Sequence, residues 1–466
     1  MNRSKKLCIL LGILAVVCAA TFAVMQMEER KEQIKETGEI ILELPSESVQ
    51  SLSWEYGEET LAFHKDENWL YDEDENFPVS EEKINDLLKQ FQAFGAAFII
   101  EDVEDFGQYG LDDPICTIHL STEAQTYEVK LGDYSKMDSQ RYVSIGDGNV
   151  YLVKHDPLDE YDAVLSDMID HDEIPNFDHV TQIQFAGTET YSITYREDSA
   201  DSYSSDDVYF TQRSGKTLPL DTSKVNSYLR SITNLNPFNY VSYNVTDEEL
   251  QAYGLDAPEL TVTVDYTAKG EDGRETENTF VLYVSPDPED VKAAEEAENG
   301  EGTEISAYIR AGESQIVYKV SSSDYNKLAA ASYNDLRHPE VIWADFSDIQ
   351  QIDFSLEGNS YTLTSEKDGK ESVWFYQDKD ELEAGDLRAS LENLIAEEFT
   401  DERPSQKEEI GLTIHLDNEN FPQVQIKLYR YDGSRCLAVV DGESVSLVER
   451  AGVVDLIEVV HTIVLD

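Results

Sequence analysis

The hexapeptide Tyr-Gly-Leu-Asp-x-Pro occurs at residues 109–114 and again at residues 253–258. An internal repeat constrains a fold more tightly than any local pattern, because each copy must build the same unit. The match extends upstream without gaps. Phe77-Pro78-Val79-Ser80 through Ile84, Leu88, Phe91 and Phe94 aligns with Leu218-Pro219-Leu220-Asp221 through Val225, Leu229, Ile232 and Leu235. A degenerate third copy closes the chain. Trp374-Phe375-Tyr376 repeats Trp69-Leu70-Tyr71, and Thr413-Ile414-His415-Leu416 repeats Thr117-Ile118-His119-Leu120. Ile410-Gly411-Leu412 reads as the remnant of the hexapeptide. The 466 residues have room for about three domains of this size.

Within one copy the pattern runs strands, helix, hexapeptide, strands, helix. Residues 49–54 and 60–63 alternate apolar and polar, which predicts a strand pair with one buried face, and residues 69–71 add a third strand. Ser80 offers a helix N-cap, followed by Glu81 and Glu82, where the helix dipole favours acids. Ile84, Leu87, Leu88, Phe91 and Phe94 recur at helical spacing. In the second copy Thr246 and Glu249 have the spacing of a capping box. The short helix they open is expected to end at Tyr253, with Gly254 left-handed, Leu255 making the accompanying apolar contact and Pro258 opening a strand. The motif residues Tyr109, Gly110, Leu111, Asp112 and Pro114, with Tyr253, Gly254, Leu255, Asp256 and Pro258, therefore read as a helix stop and strand start. A binding role for Asp112 and Asp256 is the alternative. Four strands follow over residues 115–120, 126–131, 141–145 and 150–153, and Asp156-Pro157 begins a helix with Leu158, Tyr161, Leu165 and Met168 inward. Residues 197–207 form a Ser/Asp loop, and the acidic stretch 285–304 is expected to be mobile. The fold class is α+β, with tandem modules of antiparallel sheet packed by helices.

The N-terminus sets location. Residues 7–25 carry no charge, and as a helix they would span roughly 28 Å, enough to cross a bilayer. Arg3, Lys5 and Lys6 precede them, which keeps the N-terminus cytoplasmic and exports the rest. A cleaved signal peptide and a lipid-anchored Cys18 are the alternatives to an uncleaved anchor. The expected organisation is a cytoplasmic N-terminus over residues 1–6, a transmembrane helix over 7–26, a helical juxtamembrane linker over 27–44, and modules over 45–176, 177–345 and 346–466. Cys116 and Cys436 are the only cysteines beyond the apolar segment. An exported compartment permits a disulfide, but Cys116 falls where the second copy has Leu260, as a small core hydrophobe would.

Chemistry is sparse. The net charge of -61, from 96 acidic and 35 basic residues, argues against nucleic acid as a partner. Asp72, Asp74 and Asn76 have calcium-loop spacing, but Phe77 stands where the loop needs glycine and Lys83 where it needs a carboxylate. No zinc spacing, nucleophile elbow, P-loop or dinucleotide fingerprint occurs. His119 and His415 are read as solvent-facing histidines at matching positions. No catalytic, metal or cofactor residue is assigned. The 26 tyrosines fit strand packing, with a recognition surface as the alternative.

The N-terminal anchor, the strand pair before Trp69, the Phe77-Pro78-Val79 helix entry and Tyr109-Gly110-Leu111-Asp112-Asp113-Pro114 together resemble a bacterial family known as domain of unknown function 4340. The resemblance covers about residues 45–340 well and the third module weakly. It implies a single-anchor extracytoplasmic protein, often encoded beside ABC-transporter subunits of the gliding-motility type, and those subunits as a partner. It supplies no catalytic residues. The expected function is a non-enzymatic accessory or binding protein tethered outside the membrane. A structural spacer or adhesin is the alternative, and an envelope-polymer hydrolase comes third. Partner identity and oligomeric state are not legible.

Overall fold

A computed structural model describes residues 38–465 except residues 102, 198–199, 271–272, 298–303, 369–370 and 378–380. The expected anchor, residues 7–26, lies outside the described residues. Among the described residues no helix is long and apolar enough to cross a membrane. The chain divides into two compact units, one ending at His171 and the other beginning at Asp172.

The first unit holds one antiparallel sheet of nine strands: β1 (Glu39–Leu42), β2 (Val49–Tyr56), β3 (Glu59–Lys65), β4 (Trp69–Tyr71), β5 (Phe94–Ile100), β6 (Cys116–Thr122), β7 (Thr126–Ser135), β8 (Gln140–Ser144) and β9 (Val150–Val153). Their order is β1-β5-β9-β8-β7-β6-β2-β3-β4. The meander β2–β4 runs to one edge, and the helix Glu81–Lys89 carries the chain back toward the other, where β5 is laid down. The second meander, β6–β9, then fills the gap between β2 and β5. Each element follows from its residues. Leu52 and Trp54 of β2, Phe63 of β3 and Ile118 and Leu120 of β6 are buried, with polar residues alternating between them. The Ser80 hydroxyl accepts from Lys83 N at the helix start, and Ile84, Leu87 and Leu88 turn inward. Trp54 stacks on Phe63 at 5.7 Å and meets the edge of Tyr161 at 5.4 Å, while the Tyr161 hydroxyl donates to Leu87 O at 3.2 Å. That bond ties the helix to the segment after β9.

The second unit holds two sheets. One has nine strands: β10 (His179–Gly187), β11 (Tyr191–Tyr195), β12 (Tyr209–Arg213), β13 (Lys216–Pro219), β14 (Tyr240–Ser242), β15 (Leu260–Lys269), β16 (Glu275–Pro286), β17 (Ala307–Ala311) and β18 (Val317–Val320). Their order is β13-β12-β11-β10-β15-β16-β17-β18-β14. The other has eight: β19 (Ile349–Leu356), β20 (Asn359–Asp368), β21 (Glu371–Tyr376), β22 (Ala396–Phe399), β23 (Glu408–Leu416), β24 (Gln423–Arg430), β25 (Arg435–Val440) and β26 (Glu443–Glu449), ordered β21-β20-β19-β23-β24-β25-β26-β22. All three sheets share one eight-strand topology. The first adds β1 beyond its fourth common strand, and the second adds β13 beyond its third. The third copy, degenerate in sequence, is complete in topology.

The register corrects the alignment of that third copy. Val49 and Ile349 each follow a one-turn helix, Ser46–Ser48 and Phe346–Asp348, and open the first common strand. Counted from there, Ser53 corresponds to Asp353. Ser53 faces His119, but Asp353 faces Thr413, and His415 faces Gln351. The Thr-Ile-His-Leu match is therefore slipped by two residues, and His119 and His415 are not equivalent. A strand repeats every two residues, so a two-residue slip preserves the inside–outside alternation and leaves no trace in the pattern. Gly411 is likewise no remnant of the hexapeptide. It lies inside β23, opposite Ser355 and Lys427, and is absent from the positive-φ glycines. Trp374-Phe375-Tyr376 does match Trp69-Leu70-Tyr71, since Tyr71 pairs with Phe63 and Tyr376 with Leu363 at the same step of the two hairpins.

Local departures have local causes. The first helix stops at Lys89, so Phe91 and Phe94 are buried from a turn and from β5 rather than from one helical face. The segment after Asp156 breaks into two short helices, Leu158–Tyr161 and Leu165–Met168, with only Tyr161 and Met168 buried in them. Within the acidic stretch expected to be mobile, Pro288–Glu296 is a helix. Asp287 caps it by accepting from Glu289 N at 2.9 Å, and Pro288 occupies the first turn, where a missing N–H has no consequence. Glu39–Leu42, read as linker, pairs with β5 as a strand.

Candidate functional site

The hexapeptide makes a corner in both copies. In the first, the one-turn helix Gly107–Tyr109 ends at Gly110, whose φ is 72°. In the second, the helix Asp247–Ala252 opens with a complete capping box between Thr246 and Glu249, and Gly254 follows at φ 71°. Leu255 N donates to Leu250 O at 2.8 Å, and Leu111 and Leu255 are both buried. Pro114 and Pro258 stand just ahead of β6 and β15. Each motif tyrosine packs on a tyrosine from the third strand of the returning meander: Tyr109 on Tyr142 at 4.9 Å, and Tyr253 on Tyr308 at 4.6 Å. Asp112 and Asp256 are exposed, and neither belongs to a group of ligating side chains among the described residues.

Ion pairs that the sequence pattern does not reveal lie near these corners. In the first module Arg141, 7% exposed, donates from Nε to Asp156 at 2.6 and 2.8 Å and from Nη1 to the Gly132 carbonyl at 2.7 Å. In the second, Lys319 Nζ reaches Asp287 Oδ2 at 2.6 Å and sits 5.5 Å from the centre of the Tyr308 ring. Burial pushes the Asp287 carboxyl up, but Lys319 and the capped backbone N–H outweigh it and hold it below its ordinary value.

The most concentrated polar site lies in the second unit, where the connection after β18 meets the loop before β12. The Asp207 side chain is 2% exposed. It accepts from Ser202 Oγ at 2.6 Å and Trp343 Nε1 at 3.1 Å, and pairs with His338 Nε2 at 2.9 Å. His338 Nδ1 is 3.8 Å from Glu340. The imidazole lies flat on Trp343, with centroids 4.4 Å apart and planes 5° apart, and Tyr203 covers Trp343 at 4.6 Å. Tyr203 in turn packs against the core of the third sheet. Ser202 donates to the carboxylate rather than to the histidine, so the three groups are not ordered as a serine–histidine–aspartate relay. The geometry is that of a clasp between the second and third modules. Asp207 carries no distinguishing mark in the sequence, since it closes a run of Ser and Asp that reads as a solvated loop.

The clasp predicts a pH dependence. Burial pulls the His338 pKa down, but its hydrogen bonds to Asp207 and Glu340 and the Asp207 charge outweigh it and raise the value from 6.5 to about 9. A value raised in the folded state contributes stability that is complete below about 6.5 and lost as pH climbs through about 9. For this mostly buried group the loss is on the order of 3 kcal/mol. Denaturant titrations at pH 6 and pH 9.5 should show the second unit less stable at the higher pH. An unchanged midpoint would rule the clasp out as a proton-linked contact.

The outer face of the third sheet carries a second polar group. Asp353 pairs with His415 Nε2 at 2.8 Å and accepts from Thr362 Oγ1 at 2.7 Å and Gln351 Nε2 at 2.9 Å. Burial raises its pKa, and these donors more than reverse the effect. A shallow groove of about 350 Å³ runs beside it past Thr362, Gly411, Thr413, Gln425 and Lys427. Its carboxylate is already occupied by protein donors, and the groove is open to solvent.

Among the described residues no group of three or more His, Cys, Asp or Glu is arranged to hold a metal ion. Asp72 pairs with His64 at 2.7 Å, and Asp74 accepts from Asn76. Cys116 and Cys436 are free and buried, and burial pushes both thiols up to about 12. Cys116 and Cys436 should therefore resist iodoacetamide at pH 8 in the folded chain and react only in denaturant. Modification at the native rate of a free thiol would contradict the burial.

These features define a class: antiparallel sheets of one shared topology, repeated along the chain and each packed by helices. The chain belongs to the family described as Domain of unknown function (DUF4340), whose model matches residues 69–241 and 211–414. The two matches begin at or within the equivalent strands β4 and β12, as a repeated unit requires. No curated protein and no solved structure matches the chain.

Proposed function

We propose that the chain is a membrane-anchored extracytoplasmic binding protein, held by residues 7–26, that works as a non-enzymatic accessory to a membrane or envelope protein. The single observation that carries this reading is the threefold use of one sheet topology, which gives the chain three similar modules for contact. The net charge of -61 favours a partner with a basic surface and adds long-range attraction that salt weakens. The family resemblance makes ABC-transporter subunits the first partners to test. The Asp207–His338 clasp favours a second reading as a spacer, since it locks consecutive modules together.

Crosslinking the full chain in its native membrane, followed by identification of the adducts, tests the proposal. A specific membrane-protein adduct that weakens between low and high salt is the expected result. Turnover of envelope polymer by the purified chain, abolished by one carboxylate substitution, would overturn it.

A further inference from the structure

A charged side chain taken out of water is normally paired, because its desolvation costs free energy that a partner must offset. Arg337, in the second unit, is an exception. It follows the short helix Tyr333–Leu336 and is part-buried. Its guanidinium carbon lies 5.0 Å from the centre of the Tyr333 ring and 4.2 Å from that of Phe399, the last residue of β22. A guanidinium stacks on rings through its faces and keeps its N–H edge for hydrogen bonds. Among the described residues no oxygen accepts from that edge and no carboxylate pairs with it, in a chain with 96 acidic residues. Burial pulls the Arg337 pKa below its ordinary value, Tyr333 opposes that, and the Arg213 charge adds to it; no carboxylate takes part.

The surroundings are basic. Arg213, at the end of β12, holds its guanidinium carbon 4.4 Å from the centre of the same Tyr333 ring. Lys224, in the helix Thr222–Thr233, donates from Nζ to the Arg337 carbonyl at 3.1 Å. Among the described residues Glu189 is the one carboxylate that pairs with any of these three cations. It lies 3.5 Å from Arg213 Nη1 and accepts from Tyr333 N at 2.9 Å with the same oxygen. The acids next along the chain are committed to helix caps: Asp335 accepts from Ser332 N and Oγ, and Asp221 from Ser223 N and Lys224 N.

We propose that Arg337 and Arg213 form a receptor for a phosphate-type oxyanion, free or as the ester phosphate of a larger molecule. Two guanidinium forks offer more N–H donors than the two oxygens of one carboxylate can use, whereas a phosphate group has three acceptor oxygens to divide between them. The rings fix the plane of Arg337 before the ligand arrives, so little side-chain freedom is lost on binding. The local cluster of cations gives an anion a path to a chain whose net charge is -61. The site goes beyond the reading of the chain as an accessory to a membrane or envelope protein and does not depend on it.

The test uses the full chain in an uncharged, phosphate-free detergent at fixed ionic strength. Phenylglyoxal, which modifies guanidinium groups, reports on Arg337 through peptide mapping. Arg337 is expected to react, and inorganic phosphate at about ten times its half-protecting concentration should slow that reaction about tenfold, by mass action. Acetate at the same ionic strength should not. In phosphorus NMR line broadening, Arg337→Lys keeps the charge and loses the fork, and should raise the half-saturating phosphate concentration about tenfold. Glycerol phosphate protecting as well as inorganic phosphate assigns the site to phosphate esters, and protection by inorganic phosphate alone assigns it to the free ion. An Arg337 that resists phenylglyoxal without phosphate, or that phosphate fails to protect, would overturn the proposal and leave the stacked rings as packing alone. So would protection by acetate equal to that by phosphate, or phosphate binding unchanged in Arg337→Lys. The protection measurement is made on the wild-type chain, so it decides even where Arg337→Lys does not fold.

Discussion

Replacing Asp207 by alanine should cost the second unit about 3–5 kcal/mol, the range for breaking a buried ion pair from one side. Three donors lose their acceptor at once: His338 Nε2, Trp343 Nε1 and Ser202 Oγ. The imidazole is only 12% exposed, so water cannot readily take over from the carboxylate. His338 would lose its charge, and the flat stack on Trp343 would lose the partner that holds it in place. Guanidinium unfolding, with hydrogen exchange read over residues 333–345, checks this. Asp207→Asn keeps an acceptor and removes the charge. It should cost less, and it should flatten the decline in stability between about pH 6.5 and about pH 9. A loss of under about 1 kcal/mol for Asp207→Ala would mean the clasp contributes little to holding the second and third modules together.

How far the chain could be read from its residues depended on what each signal constrains. Capping chemistry was legible, because Ser80, Thr246 and the hexapeptide glycines act through bonds within a few residues of themselves. Alternation located β2, β3, β6 and β7, since one face of each is buried. The same alternation hid the register of the third copy, where a shift of two residues changes partners without changing sides. The strands β1 and β5 were not legible. Gly-Ala-Ala-Phe-Ile-Ile has no clean period of two, and Glu39–Leu42 follows a charged stretch that dominates its surroundings. The clasp was invisible for a different reason. Asp207 is far in sequence from His338 and Trp343, and each looks ordinary alone. Only the fold brings them together, and an abundance of carboxylates makes any particular buried one impossible to single out. For the same reason the motif aspartates Asp112 and Asp256 attracted notice by repetition, while the repetition belongs to the backbone turn beside them.

The two hexapeptide glycines should respond differently to the same substitution. Both have positive φ, so alanine at either costs roughly 1–2 kcal/mol in backbone strain. At Gly254 there is little more to add, because a Cβ would lie 3.5 Å from Ser285, an ordinary contact. At Gly110 a Cβ would lie 2.8 Å from Asp133 Cγ and 2.9 Å from its backbone nitrogen. The backbone of β7 would have to shift, so Gly110→Ala should cost about 2–4 kcal/mol. The difference traces to the strand beneath. Leu131 pairs with Cys116 and Val284 with Leu260, which makes Gly132 and Ser285 equivalent. A Cβ on Gly132 would meet the Tyr109 carbonyl at 2.2 Å, whereas Ser285 uses its hydroxyl to donate to the Gly254 carbonyl at 2.7 Å. The first corner is packed against a bare backbone, and the second is held off by one side chain and bonded through it. Gly132→Ser should therefore disrupt the first module although it installs the residue that serves the second. Ser285→Gly should cost only the lost hydrogen bonds, about 1 kcal/mol. Hydrogen exchange of the β6–β7 and β15–β16 amides in the four variants would read each corner separately, and equal losses for Gly110→Ala and Gly254→Ala would show that strain alone sets the cost.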